Sequence, residues 1–428
     1  MTSNNTGAFV WIWLKDQSEP VIAGRIEEHN GKLAFNYGQS YLKRKNAIPI
    51  YDPELPLKAG RIPLLDRMIM PSCIRDGSPD AWGRRVIINQ VTGKKKEAID
   101  LTELDELAYL LLSGSDRIGA LDFQASATAY NPRTPRSATL EELQRASELV
   151  DTGVPLTKEL DQALNHGSSI GGARPKASIE SNEKKYIAKF SGSSDTYSVV
   201  KAEYVAMKMA KKVGINVADV ELTQALGKDV LLIERFDRYH NNEKKWCRKA
   251  MVSGLTILGI SEDEARYASY EDLAEKIRFK FTNPKNTLEE LYKRMVFNIL
   301  VGNTDDHARN HAAFWDGEQL TLTPAYDICP QNRTGGEASQ AMNISGSNKL
   351  SRLASCLTAA PSFLISESRA KEIIKFLVTN IKEFYPEICQ EGKLSEIDQK
   401  FFWRRQFLNP YCFYGLPEDF ENALTSIL

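Results

Sequence analysis

Hydrophobic and polar positions along this chain change period several times, and each change marks an element. Phe9 to Leu14 is an aromatic and β-branched run, Lys15-Asp16-Gln17 is polar, and Val21 to Ile26 is apolar again. Asn30-Gly31 then supplies two residues suited to positive φ before Lys32 to Tyr37. The pattern predicts a small antiparallel meander over residues 8–37, closed by a tight hairpin turn. Residues 60–125 read as mostly helical, with Asp105 to Leu112 strongly apolar and Gly114 as the stop. Asn131-Pro132-Arg133-Thr134-Pro135-Arg136 reads as a polar linker, and Thr139 with Glu142 has the capping-box spacing that opens a helix.

From about residue 165 the pattern changes. A glycine-rich turn, Gly167 to Gly172, precedes two strands, Ala177 to Ile179 and Lys185 to Phe190. Val199 to Val213 carries apolar residues at Val205, Met209 and Val213 and ends before Gly214, as a helix does. Val217 to Leu222 and Val230 to Arg235 read as strands again. After residue 250 strand signals thin out. Thr287 and Glu290 have capping-box spacing before a helix that runs to about Leu300 and ends at Asn303. Ser368 to Lys382 and a segment from Pro417 read as later helices.

Composition narrows the function classes. A chain of 428 residues has room for two or three domains. The balance of 55 Lys+Arg against 56 Asp+Glu gives no electrostatic case for direct nucleic-acid binding. Apolar runs such as Ala8 to Leu14 fall far short of the ~20 residues that span a bilayer, and the polar residues after Met1 do not resemble a signal peptide. Six scattered cysteines without a CxxC pair support neither a zinc nor a disulfide framework, and fit reduced thiols in a cytoplasm.

The chemistry concentrates in two segments. Val301-Gly302-Asn303-Thr304-Asp305-Asp306-His307-Ala308-Arg309-Asn310 is followed by Leu322-Thr323-Pro324-Ala325-Tyr326-Asp327. This order of Asp, Asn and second Asp is the acidic core of a protein-kinase-type site. The first Asp accepts the proton of an attacking hydroxyl, while the Asn and second Asp hold Mg²⁺ against nucleotide phosphates. A hairpin through Asp316-Gly317 would return Asp327 to Asn310. Asp305 alone reads as an ordinary turn Asp, so the grouping carries the case. Asp306 reads as a neighbour rather than a participant. His307 and His311 stand at i, i+4, but Ala308 occupies the place of the metalloprotease Glu, so His307 is assigned to the phosphates or to bracing the loop.

Further upstream, Lys189 ends an apolar strand from which an ammonium can reach α/β-phosphates, with Glu203 on the next helix to orient it. Ser169, Ile170, Gly171, Gly172 and Ala173 lie in a loop whose backbone N–H groups could cradle phosphate, although it matches neither a Walker A loop nor the kinase G-x-G-x-x-G. Glu234 and Phe236 follow the last strand, where a kinase hinge meets adenine. A surface lysine, a flexible turn and an exposed salt bridge are the plain alternatives for these three features.

Taken together, these stretches resemble the HipA family of bacterial serine/threonine kinases, the toxins of type II toxin–antitoxin pairs. Ser168 to Lys176, Ile187-Ala188-Lys189, Glu234-Arg235-Phe236-Asp237-Arg238, Gly302 to Asn310 and Leu322 to Asp327 carry the resemblance, and Ser115 to Ala120 adds to it. It implies an α+β, two-lobed protein-kinase-like fold with an appended N-terminal β-meander and helical subdomain (1–126), a kinase N-lobe (138–240) and a mostly helical C-lobe (241–428). It also implies ATP and Mg²⁺. The 169–173 loop, Lys189, Glu234, Phe236 and His307 would bind ATP, Asp305 would be the base, and Asn310 with Asp327 would hold the metal. Ser169, with Ser168 as the adjacent ambiguity, is the implied autophosphorylation site. A small helix-turn-helix antitoxin is the implied partner, through which DNA is bound, and an aminoacyl-tRNA synthetase is among the family's known protein targets.

Two other readings use part of this pattern. An aminoglycoside-phosphotransferase-type kinase shares the Asp, Asn, Asp logic, but a His-Gly-Asp motif is absent before Asn310. A DNA-bound corepressor with its antitoxin would not need the intact catalytic set.

Overall fold

The computed structural model describes residues 6–94, 104–133, 138–164, 169–192, 195, 197–333 and 335–428. Gly167, Ser168 and residues 134–136 of the predicted linker lie outside the described residues. The chain divides into two compact units. The first comprises Met1–Asp195, Thr223–Val252 and Phe314–Glu318, and the second Thr196–Leu222, Ser253–Ala313 and Gln319–Leu428. No helix of the described residues is long and apolar enough to cross a membrane.

The predicted meander forms in the first unit as β1 (Gly7–Ile12), β2 (Val21–His29) and β3 (Lys32–Tyr37). Asn30 and Gly31 both take positive φ, at 53° and 74°, and join β2 to β3. Two further strands, β4 (Arg61–Ile62) and β5 (Leu121–Gln124), complete a sheet ordered β4-β3-β2-β1-β5. They correct the mostly helical reading of 60–125. β5 is only four residues long, Leu-Asp-Phe-Gln, so its alternation is too short to stand out, and its polar members are buried as well, Asp122 pairing with Arg117 and Arg133 at 2.8 Å. Between them, helix α1 (Ala81–Lys94) and the helix Glu106–Leu112 do form, the latter capped by Asp105.

The second sheet contains β6 (Lys176–Ser181), β7 (Lys184–Phe190) and, after the strand β8 (Val220–Ala225), β9 (Lys228–Glu234), in the order β6-β7-β9 with the end of β8 beyond. The two faces of this sheet differ because side chains alternate along a strand. Ala177, Tyr186, Ala188, Phe190, Val230 and Leu232 form one buried core with Trp82 and Val86 of α1 and Leu143, Ala146 and Val150 of helix α2 (Leu140–Asp151). α2 starts with the predicted Thr139–Glu142 capping box. The opposite face carries Lys176 directly across from Lys189 and Ser178 across from Ile187.

The second unit is mainly helical. Helix α3 (Val199–Lys212) ends before Gly214, whose φ is 79°. Helix α4 (Tyr270–Lys280) precedes helix α5 (Pro284–Leu300), which begins earlier than predicted because Pro284 occupies its first turn. Thr287 is therefore inside the helix, where its hydroxyl donates to the Asn283 carbonyl at 2.7 Å, and Glu290 instead pairs with Arg294 at 2.9 Å. Helix α6 (Glu367–Glu391) runs past the predicted end and accommodates Pro386. The predicted C-terminal helix is Glu418–Thr425.

Candidate active site

In the second unit, α5 delivers the chain to the first acidic segment. Gly302 takes φ 72°, and a Cβ there would lie 2.8 Å from the Gln406 carbonyl, so only glycine allows this exit from the helix. Buried Asn303 donates to the Asn298 side chain at 3.1 Å, and its carbonyl accepts from Gln340. A single 3-10 turn, Ala308–Asn310, then closes the loop, with Asn310 N–H donating to the His307 carbonyl at 2.8 Å.

The predicted hairpin forms the next step. Strands Ala312–Trp315 and Leu320–Leu322 are neighbours. Beyond them, Thr323 donates through both N–H and Oγ1 to the Ala312 carbonyl, at 3.0 and 3.1 Å. Tyr326 donates its hydroxyl to the Arg309 carbonyl at 2.6 Å. Ala325 exchanges main-chain bonds with the segment 216–218, at 2.8 Å to the Asn216 carbonyl and 2.9 Å from Ala218. Asp327 is thereby returned to the loop, in a left-handed conformation with φ 58°. Asp is one of the few side chains that adopt this region readily, so the position suits the residue it carries.

Three features make this a charged, accessible centre. Asp305 is exposed at the surface of the unit. Its carboxyl is pushed above the ordinary range by partial burial; His307 opposes this and the carboxylate of Asp327 adds to it. Asn310 is buried and donates Nδ2 to the Asp305 carbonyl at 3.1 Å, which leaves Oδ1 to act as an acceptor. His307 Nδ1 is buried without a hydrogen-bond partner. Asp306 turns the other way. It is buried, accepts from the Tyr270 hydroxyl, and lies 3.0 Å from His311 Nε2, whose ring packs edge-on against Tyr270.

The donor set fits a hard divalent cation. Asn310 Oδ1 and the Asp327 carboxylate would supply oxygen ligands, and a cation would relieve the repulsion between Asp305 and Asp327. Among the described residues, no group of three or more His, Cys, Asp or Glu could hold a metal by itself. A cation here would complete its shell with phosphate oxygens and water, as Mg²⁺ commonly does.

In the first unit, Lys189 and Lys176 are both buried and occupy directly opposed positions on β7 and β6. The two side chains therefore leave the same face of the sheet, from which a lysine ammonium could reach an anion. The sequence pattern pointed to Lys189 and gave Lys176 no separate role; its place at the start of the strand facing that lysine is the signal that pairs the two. Lys176 Nζ donates to the Gly171 carbonyl at 2.7 Å. Ser169 and Ile170 are buried, Ala173 is exposed, and Gly172 has φ 98° with Lys176 Nζ packed where a Cβ would be.

Glu234 lies opposite Tyr186, on the face away from Lys189, and its carboxylate pairs with Lys184 at 2.6 Å. Its main chain, rather than its side chain, is the part suited to a base. Phe236 packs edge-on against Phe314 with centroids 5.9 Å apart. Glu203 is buried on α3 within the second unit.

Arg235, Asp237 and Arg238, which alternate with and follow Glu234 and Phe236, have a role that the sequence did not reveal. Arg235 donates to Asp237 at 2.8 Å and to the Arg117 carbonyl at 2.7 Å. Arg238 donates to Asp237 at 2.8 Å and to Asp116 at 2.9 Å, and Gly119 N–H donates to Asp237 at 2.8 Å. Burial alone would raise the Asp237 carboxyl, but the two guanidinium groups overcome it and hold it at about 2. Asp116 is likewise held well below the usual range by Arg235 and Arg238 against its burial. The Ser115 to Ala120 segment is thus locked to the end of β9.

Comparison with known proteins places the chain. Residues 168–384 match the HipA-like C-terminal domain and residues 12–124 the HipA N-terminal domain. A putative kinase, Y4mE, of Sinorhizobium fredii is 25% identical over 330 residues, covering 72% of this chain and 74% of that protein. The serine/threonine-protein kinase toxin HipA of Shewanella oneidensis is 27% identical over 183 residues, covering 37% and 42% of the two chains. The solved structure of Shewanella oneidensis HipA, in a complex with HipB and operator DNA, superposes with a TM-score of 0.67 at 18% identity over 98% of this chain and 99% of that one.

Proposed function

The chain belongs to the HipA family, and from that premise we propose that it is an ATP- and Mg²⁺-dependent protein serine/threonine kinase that acts as the toxin of a toxin–antitoxin pair. The observation that carries this reading is the gathering of Asp305, Asn310 and Asp327 around one loop, with Asp327 close enough to raise the Asp305 carboxyl. Asp305 is the acceptor of the substrate hydroxyl's proton. Asn310 and Asp327 hold the cation, which neutralises phosphate charge when bound. His307, with its unpartnered Nδ1, faces the phosphates. Lys189 and Lys176 supply the cationic face for the α/β-phosphates, the 169–173 loop covers them, and the Glu234 main chain with Phe236 receives the adenine.

The N-terminal subdomain is assigned to residues 1–126, the N-lobe to 138–240 and the C-lobe to 241–428. The partner is a small helix-turn-helix antitoxin that carries the pair to DNA, and the phosphoryl acceptor is a bacterial cytoplasmic protein. Ser169 is the self-modification site. The deciding experiment is transfer from γ-labelled ATP by the wild type and by Asp305→Asn. Label incorporation that depends on Mg²⁺ and vanishes in the variant supports the reading, and undiminished labelling by the variant overturns it.

A further inference from the structure

The glycine-rich loop is held from outside the kinase-like domain, by the segment that opens α1. The Asp80 carboxylate accepts from Gly172 N–H at 3.0 Å, and Trp82 N–H donates to the Gly172 carbonyl at 3.0 Å. Arg85 donates to the Ala173 carbonyl at 2.6 Å, and Trp82 Nε1 to the Lys176 carbonyl at 2.9 Å. Trp82 is fully buried in the core behind β6 and β7, so this edge cannot easily shift. The fit extends to the neighbouring glycine: a Cβ on Gly171 would stand 2.8 Å from the Asp80 carboxylate. Both main-chain groups of Gly172 are therefore engaged by residues 80 and 82, which lie in the N-terminal domain match, while the loop lies in the C-terminal one.

A Gly-Gly pair is the most freely moving dipeptide a chain can contain, and ordering it costs on the order of 1–2 kcal/mol per residue. If that ordering waits for the ligand, it is subtracted from the affinity. We propose that Asp80 is a positioning residue for the nucleotide: by holding Gly172 it pre-orders the loop, so that the N-terminal domain sets the affinity of the kinase-like domain for ATP. Resting on the kinase reading above, this assigns to the N-terminal domain a part in nucleotide binding. Asp80 acts through the loop and need not touch the ligand.

The test uses the full chain and a fluorescent ATP analogue, with amide hydrogen exchange of the 170–173 segment in the ligand-free protein as an independent readout. Asp80→Ala weakens analogue binding about tenfold, the scale of one lost charge-assisted hydrogen bond, and speeds exchange at Gly172. Asp80→Asn, which keeps an oxygen acceptor, restores both to within about threefold. Gly171→Ala, whose Cβ displaces the Asp80 carboxylate, reproduces the loss, and its effect does not add to that of Asp80→Ala. Should Asp80→Ala fail to fold, Gly171→Ala and Asp80→Asn carry the comparison. Unchanged binding and exchange in Asp80→Ala, or equal losses in the Asn and Ala variants, overturn the proposal. If the wild type binds no analogue, the kinase reading fails by itself, and the exchange data still decide whether Asp80 holds the loop.

Discussion

Asn310 donates its side-chain amide to the main-chain carbonyl of Asp305 at 3.1 Å. This bond ties the end of the acidic loop to its start and commits the amide nitrogen, leaving Oδ1 as the atom that would face a metal in the proposed site. Asn310→Asp keeps an oxygen ligand but replaces the donor with an acceptor facing a carbonyl. The expected result is a fall in phosphotransfer of more than about 100-fold, in the range of a lost catalytic group, even at saturating Mg²⁺. Label transfer from γ-labelled ATP measures it; a rate within about tenfold of wild type would show that the donor role is unimportant.

With Asp305 as the proposed base, its raised carboxyl would make the reaction sensitive to acid. Its folded pKa lies above the unfolded value because burial and Asp327 disfavour its ionised form. A base must be ionised, so the rate should fall, as pH drops, at a higher pH than an ordinary Asp near 3.9 would give. In the metal-free protein Asp327→Asn removes one negative charge and should lower the Asp305 carboxyl's titration, followed by carboxyl NMR; an unchanged titration would show that Asp327 does not act on Asp305. For stability the sign reverses. A raised carboxyl favours folding below its unfolded pKa and loses that contribution as pH rises through its folded value, so Asp305→Asn should be as stable as wild type at pH 7, or slightly more stable. A melting temperature clearly below wild type would contradict the assigned environment.

The acidic loop was legible because its chemistry is local. Asp305 and Asn310 are five positions apart, and Asp316-Gly317 announces the hairpin that returns Asp327. The alternating strands around Lys189 were legible for the same reason. What escaped was long-range. β5 is four residues long and pairs with β1 more than a hundred residues away, so its brief Leu-Asp-Phe-Gln alternation was too short to mark a strand by itself. Lys176 acquires meaning only from its register opposite Lys189. Arg235, Asp237 and Arg238 looked like a surface ion pair until Asp116 and the carbonyl of Arg117, more than a hundred positions earlier, supplied their buried partners.

That buried network should dominate the stability of the first unit. Asp237→Ala leaves Arg235 and Arg238 without their shared carboxylate. Removing one partner of a buried ion pair costs about 3–5 kcal/mol, far more than the loss of the exposed Lys211–Asp219 pair, for which little change is expected. The depressed Asp237 carboxyl, at about 2, adds a pH signature. Its contribution is complete above an ordinary Asp pKa of about 4 and is lost as pH falls toward 2. Denaturant melts of wild type and Asp237→Asn across this window should converge at the acid end. Parallel curves at all pH values would sink the linkage.

Ser169 gives the last expectation, because it is only 3% exposed. A hydroxyl so enclosed cannot meet a phosphoryl donor while the loop stays in place, so its modification requires the loop to leave the contacts that Asp80 and Trp82 make with Gly172. Once attached, a phosphate of about −1.5 to −2 charge cannot return to a dry site two residues from the glycine that packs on the Asp80 carboxylate. Phosphorylated protein should therefore show faster protease cleavage between residues 165 and 175 and bind a fluorescent ATP analogue at least about tenfold more weakly, whereas Ser169→Ala keeps both properties of the unmodified chain. Mass spectrometry after incubation with ATP and Mg²⁺ locates the phosphate. Phosphorylation of Ser169 with unchanged protease sensitivity and unchanged analogue affinity would mean that the loop accepts the charge in place and that modification does not end the activity.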